Sequence, residues 1–314
     1  MKASKEKNEE LNALLEIFEA DEEAIASAQK RIDAKDPSPL CGIPLVLKDN
    51  ILIEGKIASA ASKILSNYRA VYDATATKKL KEAGALFVGR ANMDEFGMGT
   101  STEHSAYGPV RNPHDTTRVP GGSSGGSAVA VASGMALGAY GSDTGGSCRQ
   151  PAAYCGVVGF KPTYGAVSRH GLIALGSSLD QIGEMANTVE DAKILYEAVK
   201  GQDSYDATTT PDGFYPVLEV PKKFRIGVPY HLLEGVNEEV RTRFDETLAR
   251  LVQEGHSVVD ISLPLSALAL PMYYIVLPAE ISTNLARFDG IRYGLSNKGD
   301  TLLQDYEKTR TEGF

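Results

Sequence analysis

Cysteine is scarce in this chain of 314 residues, which contains only Cys41, Cys148 and Cys155. Three scattered thiols form neither a disulfide framework nor the paired spacing of a zinc site, so we expect a cytoplasmic protein without a metal centre. Basic residues are also in deficit, because 32 Lys and Arg stand against 41 Asp and Glu. Phosphate contacts require clustered basic residues, so we expect any nucleic acid to be held by another chain.

Long hydrophobic runs are absent as well. No stretch reaches the ~18 consecutive apolar residues of a membrane span, and the charged N-terminus, MKASKEKNEELNALLEIFEADEEA, has no apolar signal core. We therefore expect neither a membrane span nor a secretory signal. Hydrophobic residues make up 42% of the chain and charged residues 23%, which is typical of a globular protein with a sizeable core.

Helical and strand patterns alternate along most of the chain. Helices are predicted at 6–34, 73–84 (with Asp73 as its cap), 127–139, 148–156, 188–201, 237–255, 271–288 and 301–313, and strands at 42–50, 85–90, 224–228 and 256–263. This alternation is typical of α/β layers. The polar, proline-bearing segment 203–221 indicates a surface loop within one fold, so we predict a single domain over residues 1–314.

Two clusters of glycine and serine, GGSSGG at 121–126 and GSDTGGS at 141–147, flank a run of small apolar residues. Glycine permits close packing and serine caps helices, so each cluster has a purely structural interpretation. A serine that follows two glycines at a helix N-terminus is also surrounded by free backbone N–H groups, which can hold an anion. The anion can be a phosphate or the oxyanion of acyl transfer, and both possibilities stay open at this point.

The motifs favour acyl transfer over the alternatives. The phosphate-binding pattern GxxxxGK[ST] is absent, and DTG at 143–145 has no second copy to complete an aspartic protease. A serine nucleophile needs a base, and the five histidines have no distinctive motif around them. Lys48 closes the apolar strand IPLVLK. Its amine either reaches solvent or is partly buried, in which case desolvation lowers its pKa and lets it accept a proton, directly or through a second serine.

Three stretches of the chain resemble the amidase signature family. They are GIPLVLKDN at 42–50, the glycine/serine region from GGSSGG to KPTYG at 121–165, and PAEISTNLARFDGIRYG at 278–294. The resemblance runs from about residue 12 to the end, and the segments 89–113 and 277–294 favour the A subunits of tRNA-dependent amidotransferases. It implies an α/β fold in which a mixed β-sheet is flanked by helices.

The resemblance implies a Ser–cis-Ser–Lys triad, with Ser147 as nucleophile, Ser123 as the bridging serine after a cis peptide from Gly122, and Lys48 as base. It also implies residues that form an oxyanion hole, brace the two loops and line the substrate pocket. The oxyanion hole would consist of the backbone N–H groups of Thr144, Gly145, Gly146 and Ser147. The residues that brace the loops would be Gly122, Ser124, Asp143 and Arg149, and the pocket would be lined by Tyr273 and Tyr274.

In the A subunits, glutamine is hydrolysed to glutamate and ammonia. The B subunit then uses ATP and Mg²⁺ to amidate mischarged Glu-tRNA(Gln) or Asp-tRNA(Asn), and the C subunit wraps the other two. By resemblance we expect these partners, contact with tRNA only through the B subunit, and no cofactor in this chain. The family is usually longer than 314 residues, so the C-terminal part of the sheet is expected to be missing. A stand-alone amidase acting on small amides and a catalytically silent fragment are the alternatives.

Overall fold

The computed structural model describes residues 2–35, 38–211, 213–214, 216 and 219–314. The contacts within it divide the chain into two compact units, Met1–Asp212 with Ala279–Phe314, and Gly213–Pro278. The division falls inside the polar segment 203–221, and the single domain over residues 1–314 stays a prediction. In the described part of the chain, no helix is long and apolar enough to cross a bilayer.

A mixed sheet lies at the centre of the first unit. Its strands are β1 (Leu14–Ile17), β2 (Pro44–Lys48), β3 (Leu86–Ala91), β4 (Gly138–Asp143), β5 (Val158–Phe160) and β6 (Gln181–Ala186). Among the described residues these six lie in the order β1-β3-β2-β4-β6-β5. The three central strands β3, β2 and β4 are parallel, and the outer strands pair antiparallel with their neighbours. The α/β fold with a mixed sheet is therefore confirmed.

Helices cover both faces of this sheet. The helices of the unit are α1 (Lys2–Leu11), α2 (Glu22–Asp33), α3 (Thr75–Glu82), α4 (Gly125–Ala132), α5 (Arg149–Cys155), α6 (Val189–Val199) and, after the second unit, α9 (Leu302–Gly313). On one face, Leu45 and Leu47 of β2 share a core with Leu80 of α3 and Leu195 of α6. On the other face, Val46 packs with the apolar residues of α4. The alternation along β2 thus divides the core into two layers.

The single helix predicted over 6–34 is wrong, because β1 interrupts it. Asn12 has a positive φ of 50°, and its side chain donates to the carbonyl oxygens of residues 107–109. The Asn8 side chain accepts the Leu14 N–H, and β1 then pairs with β3 at the edge of the sheet. The gain from sheet pairing outweighs the helix propensity of the segment.

Two further differences concern strands and a cap. Local pattern does not predict strands β5 and β6, because VGF is short and QIGEMA lacks a clear alternation of apolar and polar residues.

Helix α3 begins at Thr75, and no side chain caps it. Asp73 instead accepts the Glu54 N–H at 2.8 Å and pairs with Lys81 at 2.7 Å, so the predicted cap is wrong.

The described residues of the second unit contain two parallel strands, β7 (Arg225–Val228) and β8 (Ser257–Asp260), joined through helix α7 (Glu238–Gln253). Asn237 caps α7 by accepting the Glu239 N–H. Helix α8 (Ser266–Leu285) begins in this unit and ends in the first, and it continues through Pro278.

Glu184 is a buried acid in the middle of β6. Its side chain is 0% exposed, and neither carboxyl oxygen has a hydrogen-bond partner among the described residues. Tyr140 of β4 and Phe160 of β5 flank it in the sheet. Burial raises the pKa of Glu184 well above its ordinary value. The native protein therefore keeps this proton at pH values where the unfolded chain has lost it.

Replacing Glu184 with Gln removes this titration and keeps the shape. A group whose pKa is raised in the native state costs stability as the pH rises through the interval between its unfolded and folded values. We expect Glu184→Gln to gain stability over the parent as the pH rises above about 4.5, the ordinary pKa of a glutamate, by up to ~1.4 kcal/mol for each pH unit that separates the unfolded and folded pKa values. Urea unfolding followed by far-UV circular dichroism measures this, with the exposed Glu103→Gln as control. Parallel pH dependences of parent and Glu184→Gln would contradict it.

Candidate active site

The candidate site lies at the carboxyl ends of the central parallel strands. Lys48 is the last residue of β2, and the register Leu47↔Tyr140 brings it beside Ser142 near the end of β4. Parallel strands end at the same edge of a sheet, where α/β proteins commonly bind ligands. The loops that follow these strands therefore meet around the Lys48 side chain.

The Lys48 amine is fully buried and surrounded by serine oxygens. Lys48 Nζ lies 2.7 Å from Ser123 Oγ, 2.9 Å from Ser142 Oγ and 3.4 Å from the Ser142 carbonyl oxygen. Burial lowers the pKa of Lys48 from 10.5 to about 8, although nearby carboxylates act in the opposite direction. An amine with this pKa is a usable base close to neutral pH.

The loop 121–126 presents Ser123 to this amine. The Gly122–Ser123 peptide bond is cis. Gln150 Oε1 accepts the Gly122 N–H at 2.8 Å, and the Ser123 carbonyl accepts the Asp94 N–H at 3.2 Å. A side chain at Gly122 would collide with the Asp94 carboxylate, so this position requires glycine. The loop is thus held by the Gln150 side chain and by the backbone N–H of Asp94.

Asp143 organises the loop that carries Ser147. Its buried carboxylate accepts the N–H groups of Gly146 at 2.8 Å and Cys148 at 3.0 Å, and the Arg149 guanidinium at 2.9 and 3.0 Å. Burial alone would raise the pKa of Asp143, but the hydrogen bonds from Arg149 and the backbone lower it overall. The carboxylate therefore stays charged and holds the turn 143–149 in one conformation.

The two loops are joined directly through Ser124. Its N–H donates to the Ser147 carbonyl at 3.1 Å, and its hydroxyl donates to the Ser142 carbonyl at 3.1 Å. Ser147 itself is half-buried, and within the described residues its hydroxyl forms no hydrogen bond. The structure therefore brings Lys48 and Ser123 into contact but leaves Ser147 Oγ unbonded to Ser123 Oγ. Catalytic hydrogen bonds are often formed only when substrate is bound.

Three of the four predicted oxyanion donors are available. The N–H groups of Thr144, Gly145 and Ser147 have no partner in the part of the chain that the structure describes. The Gly146 N–H donates to Asp143 at 2.8 Å, and the role of all four residues in an oxyanion hole stays a prediction. The Thr144 hydroxyl donates to Asp180 at 2.6 Å and fixes this end of the loop.

Tyr273 and Tyr274 lie on α8 within the second unit, with their rings 5.8 Å apart and nearly perpendicular. Tyr273 is half-buried, whereas Tyr274 is 66% exposed. Their role in substrate binding stays a prediction.

Sequence reasoning missed four polar residues around the site. Ser142 and Asn50 lie beside Lys48, while Asp94 and Asp180 hold the surrounding loops. The position of Asp94 just after β3 and of Ser142 at the end of β4 was an available signal, because the ends of adjacent parallel strands converge. Asp180 offered no comparable signal, since local pattern does not reveal β6.

A scan against protein-family models matches the amidase model, described as "Amidase", over residues 1–314. The match covers the whole chain and is not confined to the glycine/serine region. The chain belongs to the amidase family.

Within that family the chain is similar to the A subunit of glutamyl-tRNA(Gln) amidotransferase. It is 51% identical to this protein from Desulfatibacillum aliphaticivorans, with 93% of this chain and 61% of the relative covered. It is 48% identical to the one from Thermotoga maritima, with 100% and 68% covered. The chain thus spans about three fifths of the length of the relative from Desulfatibacillum.

Two solved structures of similar proteins have the same fold as this chain. The crystal structure of the Thermotoga maritima protein superposes with a TM-score of 0.79 at 44% identity, covering 90% of this chain and 61% of that one. The native peptide amidase from Stenotrophomonas maltophilia superposes with a TM-score of 0.77 at 29% identity, covering 91% and 63%.

Replacing Asp143 with Asn removes the charge that collects the donors of the Ser147 loop. We expect Asp143→Asn to lower the free energy of unfolding by about 1–3 kcal/mol near neutral pH, because buried donors lose a charged acceptor. The deficit should shrink in acid, where the parent carboxyl is protonated as well. Denaturant unfolding as a function of pH measures both effects.

Asp115 provides the matched control, since it accepts the Thr117 N–H and pairs with Arg118 but is exposed. Asp115→Asn should change stability little. An equal effect of the two substitutions would show that Asp143 does not brace the loop.

Proposed function

We propose that this chain is the glutamine-hydrolysing subunit of a tRNA-dependent amidotransferase, in which Ser147, Ser123 and Lys48 release ammonia from glutamine. The observation that carries the proposal is that the fully buried Lys48 amine lies 2.7 Å from Ser123 Oγ. The loop that carries Ser123 is also hydrogen-bonded to the Ser147 backbone through the Ser124 N–H. The similarity to the A subunits of glutamyl-tRNA(Gln) amidotransferases supports the choice of substrate.

In the proposed reaction, neutral Lys48 accepts the hydroxyl proton of Ser123, and Ser123 accepts that of Ser147. Rotation of the Ser147 side chain, whose hydroxyl has no partner among the described residues, brings Oγ towards Ser123. Ser147 Oγ then attacks the amide carbon of glutamine. The N–H groups of Thr144, Gly145 and Ser147 stabilise the tetrahedral oxyanion.

Collapse of that intermediate breaks the C–N bond. The proton held by Lys48 returns through Ser123 to the leaving nitrogen, and ammonia departs from an acyl-Ser147 ester. Water, deprotonated by the same chain of groups, hydrolyses the ester to glutamate. Tyr273 and Tyr274 are proposed to contact the glutamine.

The proposed partners are the B and C subunits of the amidotransferase. Ammonia would pass to the B subunit, which would use ATP and Mg²⁺ to amidate mischarged Glu-tRNA(Gln) or Asp-tRNA(Asn), so neither group is assigned to this chain. The formal net charge of −9 favours contact with tRNA through the B subunit. A cytoplasmic location agrees with this role and stays a prediction.

A stand-alone amidase is the second candidate function. The likeness to the peptide amidase from Stenotrophomonas maltophilia favours it, because that enzyme shares the fold at 29% identity. Release of ammonia by the chain alone, with small amides preferred over glutamine, would select this function.

The triad is tested by single substitutions. We expect Ser147→Ala to abolish ammonia release from glutamine in the assembled complex, and Ser123→Ala and Lys48→Ala to lower it by about a thousandfold or more. Ser27→Ala, on the exposed surface of α2, is the control and should leave the rate unchanged. If Ser147→Ala released ammonia at the parental rate, Ser147 would not be the nucleophile. If a fluorophosphonate did not label the well-folded parent protein, the chain would instead be a catalytically silent fragment.

The pH dependence follows from the Lys48 environment. Because burial lowers the pKa of Lys48 to about 8, the amine is charged below that pH and neutral above it. We therefore expect the rate of fluorophosphonate labelling of Ser147 to rise with pH through a midpoint near that value. A rate that is flat between about pH 6 and about pH 9.5 would exclude a lysine base with this pKa.

A further inference from the structure

A buried threonine, Thr102, lies against the loop that carries Ser123. The residue is 0% exposed. Thr102 Oγ1 donates to the Gly121 carbonyl at 2.8 Å and accepts the Gly125 N–H at 3.1 Å. Gly121 precedes Ser123 by two positions and Gly125 follows it by two positions. A single hydroxyl therefore holds the loop on both sides of Ser123.

The contact with Gly125 also completes the start of helix α4. Gly125 is the first residue of that helix, and the first N–H groups of a helix have no partner within it. The preceding residue, Ser124, does not cap the helix, because its hydroxyl donates to the Ser142 carbonyl. Thr102 supplies the acceptor instead. A Cβ on Gly125 would overlap Thr102 Oγ1, so glycine is what permits this approach.

Thr102 is itself held in an unusual conformation by Asp94. Its φ is 57°, a left-handed backbone that a β-branched residue rarely adopts and that persists only where the surroundings enforce it. The buried Asp94 carboxylate accepts the Thr102 N–H at 2.9 Å and the His104 N–H at 3.2 Å. The backbone N–H of Asp94 donates to the Ser123 carbonyl. Asp94 thus contacts the Ser123 loop directly and also fixes the residue that clasps it.

We propose that Thr102 is a positioning residue that keeps Ser123 Oγ against the Lys48 amine, and that Asp94 holds Thr102 in place for this role. Among the described residues, no hydrogen bond joins Thr102 to Lys48 or Ser147, so Thr102 acts only through the loop. The effect on catalysis rests on the proposed function, in which Ser123 passes a proton between Ser147 and Lys48. Without the Thr102 hydroxyl, the two ends of the loop lose their common partner and Ser123 moves away from the amine.

The test compares variants that keep or remove this hydroxyl, with the rate of fluorophosphonate labelling of Ser147 as the readout. Thr102→Val keeps the shape of the side chain and removes the hydroxyl. We expect labelling to slow by about ten- to a hundredfold, the effect of displacing a catalytic group by up to about 1 Å. Thr102→Ser and Thr102→Ala differ only in the hydroxyl oxygen. The first should label close to the parental rate, and the second should be as slow as Thr102→Val.

A double-mutant cycle separates the positioning of Ser123 from a general loss of structure. If Thr102 acts through Ser123, Thr102→Val should cause no further slowing in a Ser123→Ala background. Thr209→Val is the matched control, because Thr209 is a buried threonine whose hydroxyl also accepts a backbone N–H and donates to a backbone carbonyl. It should leave the labelling rate unchanged. Parental labelling of Thr102→Val, equal slowing in both backgrounds, or equal rates for the Ser and Ala variants would overturn the proposal.

Crystal structures of the variants provide a readout that does not require catalysis. We expect the separation of 2.7 Å between Ser123 Oγ and Lys48 Nζ to be kept in Thr102→Ser and to widen beyond hydrogen-bond reach in Thr102→Val. If Thr102→Val does not fold, Thr102→Ala, which crowds a left-handed backbone less, takes its place. An unchanged separation in the variant without the hydroxyl would overturn the proposal.

The two readouts also distinguish this proposal from the proposed function. If Ser147→Ala released ammonia at the parental rate while the separation widened in Thr102→Val, the proposed function would fail and the positioning role would stand. If the triad test succeeded but the Thr102 variants changed neither the separation nor the labelling rate, only the role of Thr102 would fail.

Discussion

The structure depends on one energetically costly placement, which is the burial of the Lys48 amine at the end of a central strand. Desolvation of that amine outweighs the attraction of three nearby carboxylates and lowers its pKa to about 8. The parallel pairing of β2 with β4 fixes the amine beside Ser142, and the loop that leads into α4 supplies the Ser123 hydroxyl. A lysine at an exposed strand end would stay charged and could not accept a proton near neutral pH.

Two buried acids, Asp143 and Asp180, hold different parts of the structure around the Ser147 loop. Asp143 collects the N–H groups that follow the turn, and Asp180 takes the Thr144 hydroxyl together with the N–H groups of Leu175 and Gly176. The two carboxylates accept hydrogen bonds from these donors and so hold the backbone around them in place. The N–H groups of Thr144, Gly145 and Ser147 are left without a partner within the described residues, so the loop is rigid where it is anchored and open where charge would develop.

Local pattern is enough to predict β2 with Lys48 at its end, the helix after each glycine/serine loop and the α/β class, because each is encoded within about ten residues. It fails for β1, where pairing with β3 outweighs helix propensity, and for β6, whose burial comes from neighbours on both sides. Ser142 and Asn50 are missed for a related reason. Their contacts span 94 and 92 positions along the chain, and only the strand order brings them together.

The same dependence on distant residues extends to the end of the chain. The loop 175–180, which holds Thr144 through Asp180, is itself held by Asn284, whose amide donates to the Leu175 carbonyl, and by Glu280, which accepts the Ser178 N–H. The segment 279–314 in turn packs within the first unit, where Leu285 and Phe288 share a core with Phe96. A segment without any residue of the proposed triad therefore fixes the loop that holds Thr144 near Ser147. The geometry of Ser147 depends on the docking of this segment as well as on the glycine/serine motifs.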